Sequence, residues 1–273
     1  MNQKYINLEN VVILLSVKHI LQFDPMIAKN KPNSIHRNSS CPFCDRDQLD
    51  EILDVEDSII LVKNKYPVVS DTFPTVLIET DVCESEFSQY DLPHLYKLMD
   101  FAFRKWLEME QSGKYKSVLF FKNYGPLSGG SIRHPHMQII GLDHVDYREN
   151  LKEEYFQGTE IYKSESVEVN LSEYPMIGFT EFNIIFEDLN ELDEAARTIQ
   201  SICHFILNRF NGGSCQSYNL FFYHWLNRFY VKVVPRYVTT PLFVGYGLRQ
   251  KYTDTTKMIE DIRQHYFYQP KQG

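Results

Sequence analysis

The chain has 273 residues, 43% of them hydrophobic and 23% charged, with a formal net charge of −8. That length and balance supply a large core and exclude a disordered chain. The dispersed lysines and arginines exclude a basic nucleic-acid-binding face, but leave room for a small anion held by a few backbone N–H groups.

In chain order, no apolar run approaches the ~20 residues needed to cross a bilayer. The longest early run, 11–17, contains Ser16, follows Glu9 and lacks the basic start and cleavage site of a signal peptide. A cytoplasmic location with no membrane partner is expected. Five cysteines, two of them in a C-x-x-C, point in that compartment to metal or redox chemistry rather than to disulfides.

Residues 24–50 are rich in Pro, Asn, Ser and charge and read as loop, with Cys41-Pro42-Phe43-Cys44 inside it. The β-branched runs 58–62 and 75–79 predict strands, and Asn64-Lys65-Tyr66-Pro67 between them reads as a strand end turning into a loop. Over 91–111, Leu92, Leu95, Met99, Ala102, Trp106 and Met109 recur at spacings of three and four. They predict a helix that Gly113 stops. A strand at 117–121, a glycine-rich loop from Gly125 to Ser131 and a strand at 134–141 follow.

The acidic stretch 146–166 reads as a joint. Beyond it come strands at 167–170 and 182–186, and a helix at 190–209 with Leu192, Ala195, Ala196, Ile199, Ile202, Cys203 and Ile206 on one stripe. Strands at 218–223 and 229–234 and a last helix at 255–267 complete the chain. Each half reads as strands, one long helix, then two strands, a weak duplication of pattern rather than of residues.

The chemistry concentrates in 121–138, Phe-Lys-Asn-Tyr-Gly-Pro-Leu-Ser-Gly-Gly-Ser-Ile-Arg-His-Pro-His-Met-Gln. On a strand, residues two apart share a face, so His134, His136 and Gln138 are predicted to point together. Gly125, Gly129 and Gly130 free the preceding loop to present N–H groups to an anion. An imidazole beside such a loop can attack phosphorus or carry a proton, and Gln138 can donate to a phosphoryl oxygen. A lone strand histidine is more often structural; the loop, two histidines and glutamine together carry the functional reading. The C-x-x-C sits in a polar loop, unlike the dithiols that open a helix in a β-α-β unit. Cys203 reads as core, and Cys215 is assigned no role.

H-P-H-x-Q preceded by N-x-G-x-x-x-G-G-S resembles the active-site segment of the galactose-1-phosphate uridylyltransferase branch of the histidine-triad (HIT) superfamily, nearest to its bacterial members. Cys41-Pro42-Phe43-Cys44 resembles that branch's zinc knuckle. Asn64-Lys65-Tyr66-Pro67 resembles its N-x-[FY]-P segment at the nucleoside pocket, and 76–80 the strand before its third zinc ligand. The match is specific over about 22–142 and faint beyond.

The resemblance implies an α+β fold of two fused HIT-like halves, each an antiparallel sheet with a long helix. Residues 1–150 would form the half with the zinc site and the nucleophilic histidine. Residues 151–273 would form a degenerate half that shapes the substrate pocket. It implies His136 as nucleophile, forming a covalent nucleotidyl-histidine, and Gln138 as partner of the transferred phosphoryl group. Asn64, Asn123, Gly129, Gly130 and Ser131 would bind substrate. Zinc would be held by Cys41, Cys44, Cys83 and His134, with Cys83 in place of the family's histidine; a closed set of four is structural.

The substrates implied are a nucleotide sugar or related nucleoside diphosphate and a sugar-phosphate or phosphate acceptor, with a homodimer allowed by relatives that dimerise. Glutamine at 138, where HIT hydrolases carry histidine, favours transfer. A nucleotidyl hydrolase or phosphorylase, and a non-catalytic zinc-stabilised nucleotide-binding module, stand as alternatives. Phe243-Val244-Gly245-Tyr246-Gly247 resembles the family's V-G-Y-E sugar contact with Gly247 in place of the acid, which counts against galactose. In the second half Tyr230 and Lys232 stand where galactose-specific members place an H-x-H, so no second metal is expected.

Overall fold

The computed structural model describes residues 20–35 and 40–268; the apolar run 11–17 lies outside them. Ten antiparallel strands form one sheet: β1 Ile52–Glu56, β2 Ile59–Lys63, β3 Thr72–Ile78, β4 Ser117–Tyr124, β5 His136–Leu142, β6 Gly158–Lys163, β7 Glu168–Ser172, β8 Phe182–Phe186, β9 Tyr218–Trp225 and β10 Arg228–Pro235. Their order is β1-β2-β3-β5-β4-β9-β10-β8-β7-β6. Each half contributes five strands in the same relative order. The halves fuse where β4 pairs β9, with Phe121 opposite Phe221 and Asn123 opposite Asn219.

Short helix α1 (Pro25–Lys29) precedes the sheet, and the long helices are α2 (Leu92–Gln111) and α3 (Leu192–Asn208). Asp91 caps α2 by accepting from the His94 N–H, with Pro93 in the first turn. Gly113, at φ +67°, takes the left-handed conformation just past its end. A capping box of Asp188 and Glu191 opens the turn that leads into α3. Two further helices, α4 (Pro241–Tyr246) and α5 (Thr256–Ile262), follow β10. No helix among the described residues is long and apolar enough to cross a membrane.

The main core lies between α2, α3 and one face of the sheet. At the fusion seam Phe120 of β4 stacks on Phe222 of β9 with ring centroids 4.0 Å apart, and Phe103 and Trp106 of α2 pack against Phe120. Trp106 is fully buried and its indole N–H donates to the Val118 carbonyl at 3.1 Å. Trp106→Ala is expected to cost about 3–5 kcal/mol in a urea titration, from the cavity and the unpaired carbonyl. A loss below about 1 kcal/mol would mean that this seam does not hold the halves together.

On the opposite face a smaller cluster of Ile60, Val62, Val76 and Ile78 packs with Phe43 and Leu49. That face carries the candidate site.

The predicted helices and most predicted strands stand within a few residues of their expected bounds. Three differences have physical causes. β5 begins at His136, not His134, because Pro135 has no N–H to give the ladder, and its carbonyl instead accepts from Glu79 N. The stretch 146–166, read as a joint, contains strand β6, an edge strand with only Ile161 buried. β1, the other edge, is largely exposed and bulged, so it lacks the alternation that marks a strand.

Candidate active site and metal centre

Cys41 and Cys44 close a tight turn, Cys83 lies in the turn after β3, and His134 stands two residues before β5. These segments are far apart in sequence, yet one ligand atom from each residue lies within 4.8 Å of all the others. Cys41 Sγ and Cys44 Sγ are each 3.6 Å from His134 Nδ1. Zinc bonds of about 2.3 Å to sulfur and about 2.0 Å to nitrogen, set at a tetrahedral angle, put those atoms about 3.5 Å apart.

His134 Nε2 lies 2.8 Å from the Thr80 carbonyl. That nitrogen therefore carries the proton, and Nδ1 keeps the lone pair that faces the thiols. Burial, together with the neighbouring Cys44 and Cys41, pushes the Cys83 thiol up to about 12. A divalent cation reverses that penalty by pairing with the thiolates. The donor set fits zinc. It also corrects one expectation: His134 turns into this cluster and does not share the cleft with His136 and Gln138.

His136 opens β5 opposite Ile78 of β3, and Gln138 follows opposite Val76. Both line a cleft of about 460 Å³ together with Lys31, Phe43, Asn64, Tyr66 and Ser131. His136 Nδ1 is 2.8 Å from the His134 carbonyl. The Nδ1–H donates there, which leaves the lone pair on Nε2. Burial holds the imidazole neutral, pushed down to about 4; the His134 carbonyl opposes this, and the positive charges of Lys122 and Lys31 add to it. Phe43 meets both rings edge-on, at 5.9 Å from His134 and 5.4 Å from His136.

Ser131 Oγ is buried without a hydrogen-bond partner among the described residues. Asn64 folds over its own loop by accepting from Tyr66 N at 2.9 Å.

Asn123, Gly129 and Gly130 do not line this cleft. Gly130 packs against Asn123, where an added Cβ would sit 3.2 Å from Asn123 Cβ. Gly129 is exposed, with nothing within 4 Å of such a Cβ, at φ +87°. Its role is backbone freedom that other residues lack. Asn123 Oδ1 accepts from Asn219 of the second half at 2.6 Å.

Two features escaped the sequence reading. Lys31 reaches the cleft from the early loop, and burial lowers its pKa. No spacing marked it. Lys122 and Glu79 form a fully buried ion pair, and Glu79 also accepts from Tyr90 Oη at 2.9 Å.

In the second half β10 takes the place of β5. Its Lys232 is buried and spends its donors on Tyr155 O, Glu181 and Asn183 Oδ1, so it holds the sheet face together. The 243–247 segment ends α4, with Gly247 as a left-handed cap at φ +64°.

Family models match both halves: the N-terminal domain of DUF4931, a domain of unknown function, over residues 23–145, and its C-terminal domain over 148–267. A crystal structure of a DUF4931 family protein from Bacillus cereus is 46% identical, with a TM-score of 0.74 over 80% of this chain and 100% of that one. An ADP-glucose phosphorylase from Arabidopsis thaliana with bound ADP-glucose is 18% identical, with a TM-score of 0.65 over 90% of this chain and 98% of that one. A uridylyltransferase is 16% identical, with a TM-score of 0.67 over 89% and 97%. At these lower identities the likeness is one of fold. No curated protein matches the chain.

Proposed function

The chain belongs to the DUF4931 family, and we propose that it is a nucleotidylyltransferase working through a covalent nucleotidyl-histidine on His136. The observation that carries this reading is the ring of His136: buried, neutral, oriented through Nδ1, with its lone-pair nitrogen left for the cleft. Nε2 would attack the α-phosphorus of a nucleotide sugar or related nucleoside diphosphate. The bond from phosphorus to the bridging oxygen breaks, and the departing phosphate takes the electron pair. An acceptor phosphate oxygen then attacks the same phosphorus and frees the imidazole.

Gln138, Ser131 Oγ and Lys31 would hold the phosphoryl oxygens, where added negative charge is met by fixed donors. Residues 1–150 would supply zinc site and nucleophile, and 151–273 the acceptor side. Zinc on Cys41, Cys44, Cys83 and His134 would be structural, since four protein ligands leave no open position. The bound ADP-glucose of the Arabidopsis neighbour supports a nucleotide sugar as donor.

Intact-protein mass after brief incubation with a panel of nucleotide sugars and dinucleoside polyphosphates tests the reading. An acid-labile gain of one nucleoside monophosphate is expected. Free nucleoside monophosphate released without any acceptor would favour a hydrolase instead, and ligand binding with neither product would favour a binding module.

Gln138→Ala is expected to slow adduct formation roughly 100-fold, the size typical of losing one donor to a developing oxyanion. Stopped single-turnover rates check it; an unchanged rate would remove Gln138 from the phosphoryl contact.

A further inference from the structure

A second cleft, of about 420 Å³, crosses the seam between the halves on the same side of the sheet as His136. Phe121, Phe221 and Tyr223 contribute aromatic faces, and Asn123, Asn219 and Arg236 supply polar groups. Arg236 follows β10 and is partly buried. Its Nη1 donates to Asn219 Oδ1 at 2.6 Å, it makes no ion pair among the described residues, and burial lowers its pKa. A partly desolvated guanidinium that faces a cleft and makes no ion pair among the described residues favours an anion there.

The hydrogen bonds tie this arginine to the catalytic half. A guanidinium only donates, so the oxygen of Asn219 must face it. Asn219, 1% exposed, then turns its amino group to Asn123 Oδ1 at 2.6 Å and to the Ser128 carbonyl at 3.0 Å. That in turn fixes the Asn123 oxygen on Asn219 and leaves the Asn123 amino group as a donor. Arg236 thereby sets the polarity of a relay running from the second half to the glycine loop.

We propose that this cleft is a second substrate site for a nucleoside phosphate, with Arg236 anchoring its phosphate and the aromatic faces stacking its base. The inference rests on the nucleotidyl-transfer reading above and names the class of its second substrate. A hexose phosphate uses this lining less well: it has no plane to stack, and much of the surface that its hydroxyls would meet, Phe121, Phe221, Leu151 and Met176, offers no hydrogen bond in place of water. A base plane needs only stacking surfaces. In the second half-reaction a phosphate oxygen of this nucleotide would attack the phosphorus on His136, the P–N bond would break, and the electron pair would return to Nε2. The product is a dinucleoside polyphosphate.

Calorimetric titration of the full chain with AMP, GMP, UMP and CMP, and separately with glucose 1-phosphate, tests it. At least one nucleotide should occupy two sites per chain. Arg236→Ala should weaken one of them roughly 10- to 100-fold and spare the other. Arg236→Lys should fall between, because the charge remains without the fork. Asn64→Ala should show the reverse pattern, losing the His136 cleft and keeping the Arg236-dependent site. A single site in the wild type, equal affinities in wild type and Arg236→Ala, or a uniform weakening of both sites in Arg236→Ala and Arg236→Lys would overturn the proposal. Glucose 1-phosphate binding as tightly as the nucleotides in an Arg236-dependent way would overturn the nucleoside assignment. Binding does not require turnover, so two sites without any adduct on His136 would sink the transfer reading and leave this site standing.

Discussion

His136→Asn will abolish the nucleotidyl adduct, with a loss of roughly 10⁴-fold or more in the first half-reaction, the scale on which nucleophile removal acts. The substitution is chosen for what it keeps. An asparagine amide can still donate to the His134 carbonyl, which Nδ1 reaches at 2.8 Å, so the start of β5 need not rearrange, and Phe43 loses its contact with the His136 ring but keeps its edge-on contact with His134. What it lacks is a nitrogen lone pair, since the amide nitrogen is delocalised into its carbonyl. Zinc content and melting temperature should stay at wild-type values, while adduct mass and turnover disappear together. If turnover persists within tenfold, attack runs through water and the covalent route is wrong. If the variant loses zinc as well, the two histidines act as one structural unit and the experiment reports folding. His134→Asn then serves as the contrast, expected to lose metal first.

The candidate site was legible as a pattern because it is written in short spacings. C-x-x-C and H-x-H put candidate ligands and the candidate nucleophile within a few residues, and the stripe from Leu95 to Trp106 wrote α2 in its own period. What stayed hidden depends on partners distant in sequence. The resemblance put His134 with the cysteines, but strand alternation put it on the face of His136, and what turns it to the cysteines is Pro135 and the Thr80 carbonyl, 54 residues away. The edge strands β1 and β6 bury too little to alternate. Lys31 is a loop lysine until the fold lays it over β5. The Arg236–Asn219–Asn123 relay exists only because β4 and β9 pair in one register, opposite Asn123 to Asn219. No local pattern specifies which two edges of two half-sheets will meet. Asn123, expected from the resemblance to bind substrate, lies outside the His136 cleft and is turned by the second half.

Stripping zinc will lower the melting temperature by roughly 10–20 °C, if the metal contributes about 5 kcal/mol and each kcal/mol moves the midpoint about 2–4 °C. The ligands explain the size. They join the early loop to the turn after β3 and the residues before β5, which hold each other through Glu79 N and the Pro135 carbonyl where the β3–β5 ladder ends. Without a cation, three cysteines crowd one another, and the Cys83 thiol is pushed up to about 12. Cys83→Ser should therefore bind well under one equivalent of zinc and melt close to the stripped wild type. A variant that keeps a full equivalent and an unchanged midpoint would exclude Cys83 as a ligand. The loss should also reach catalysis without zinc touching substrate. His134 is the candidate ligand whose carbonyl orients His136 through Nδ1, and its neighbour Pro135 is tied to Glu79 N. Freed of metal, His134 no longer fixes that carbonyl, and His136 loses the hydrogen bond that assigns its lone pair to Nε2. Adduct formation should then fall in protein that still shows most of its helix signal, and return when zinc is restored. Wild-type adduct rates in folded, metal-free protein would separate the two centres.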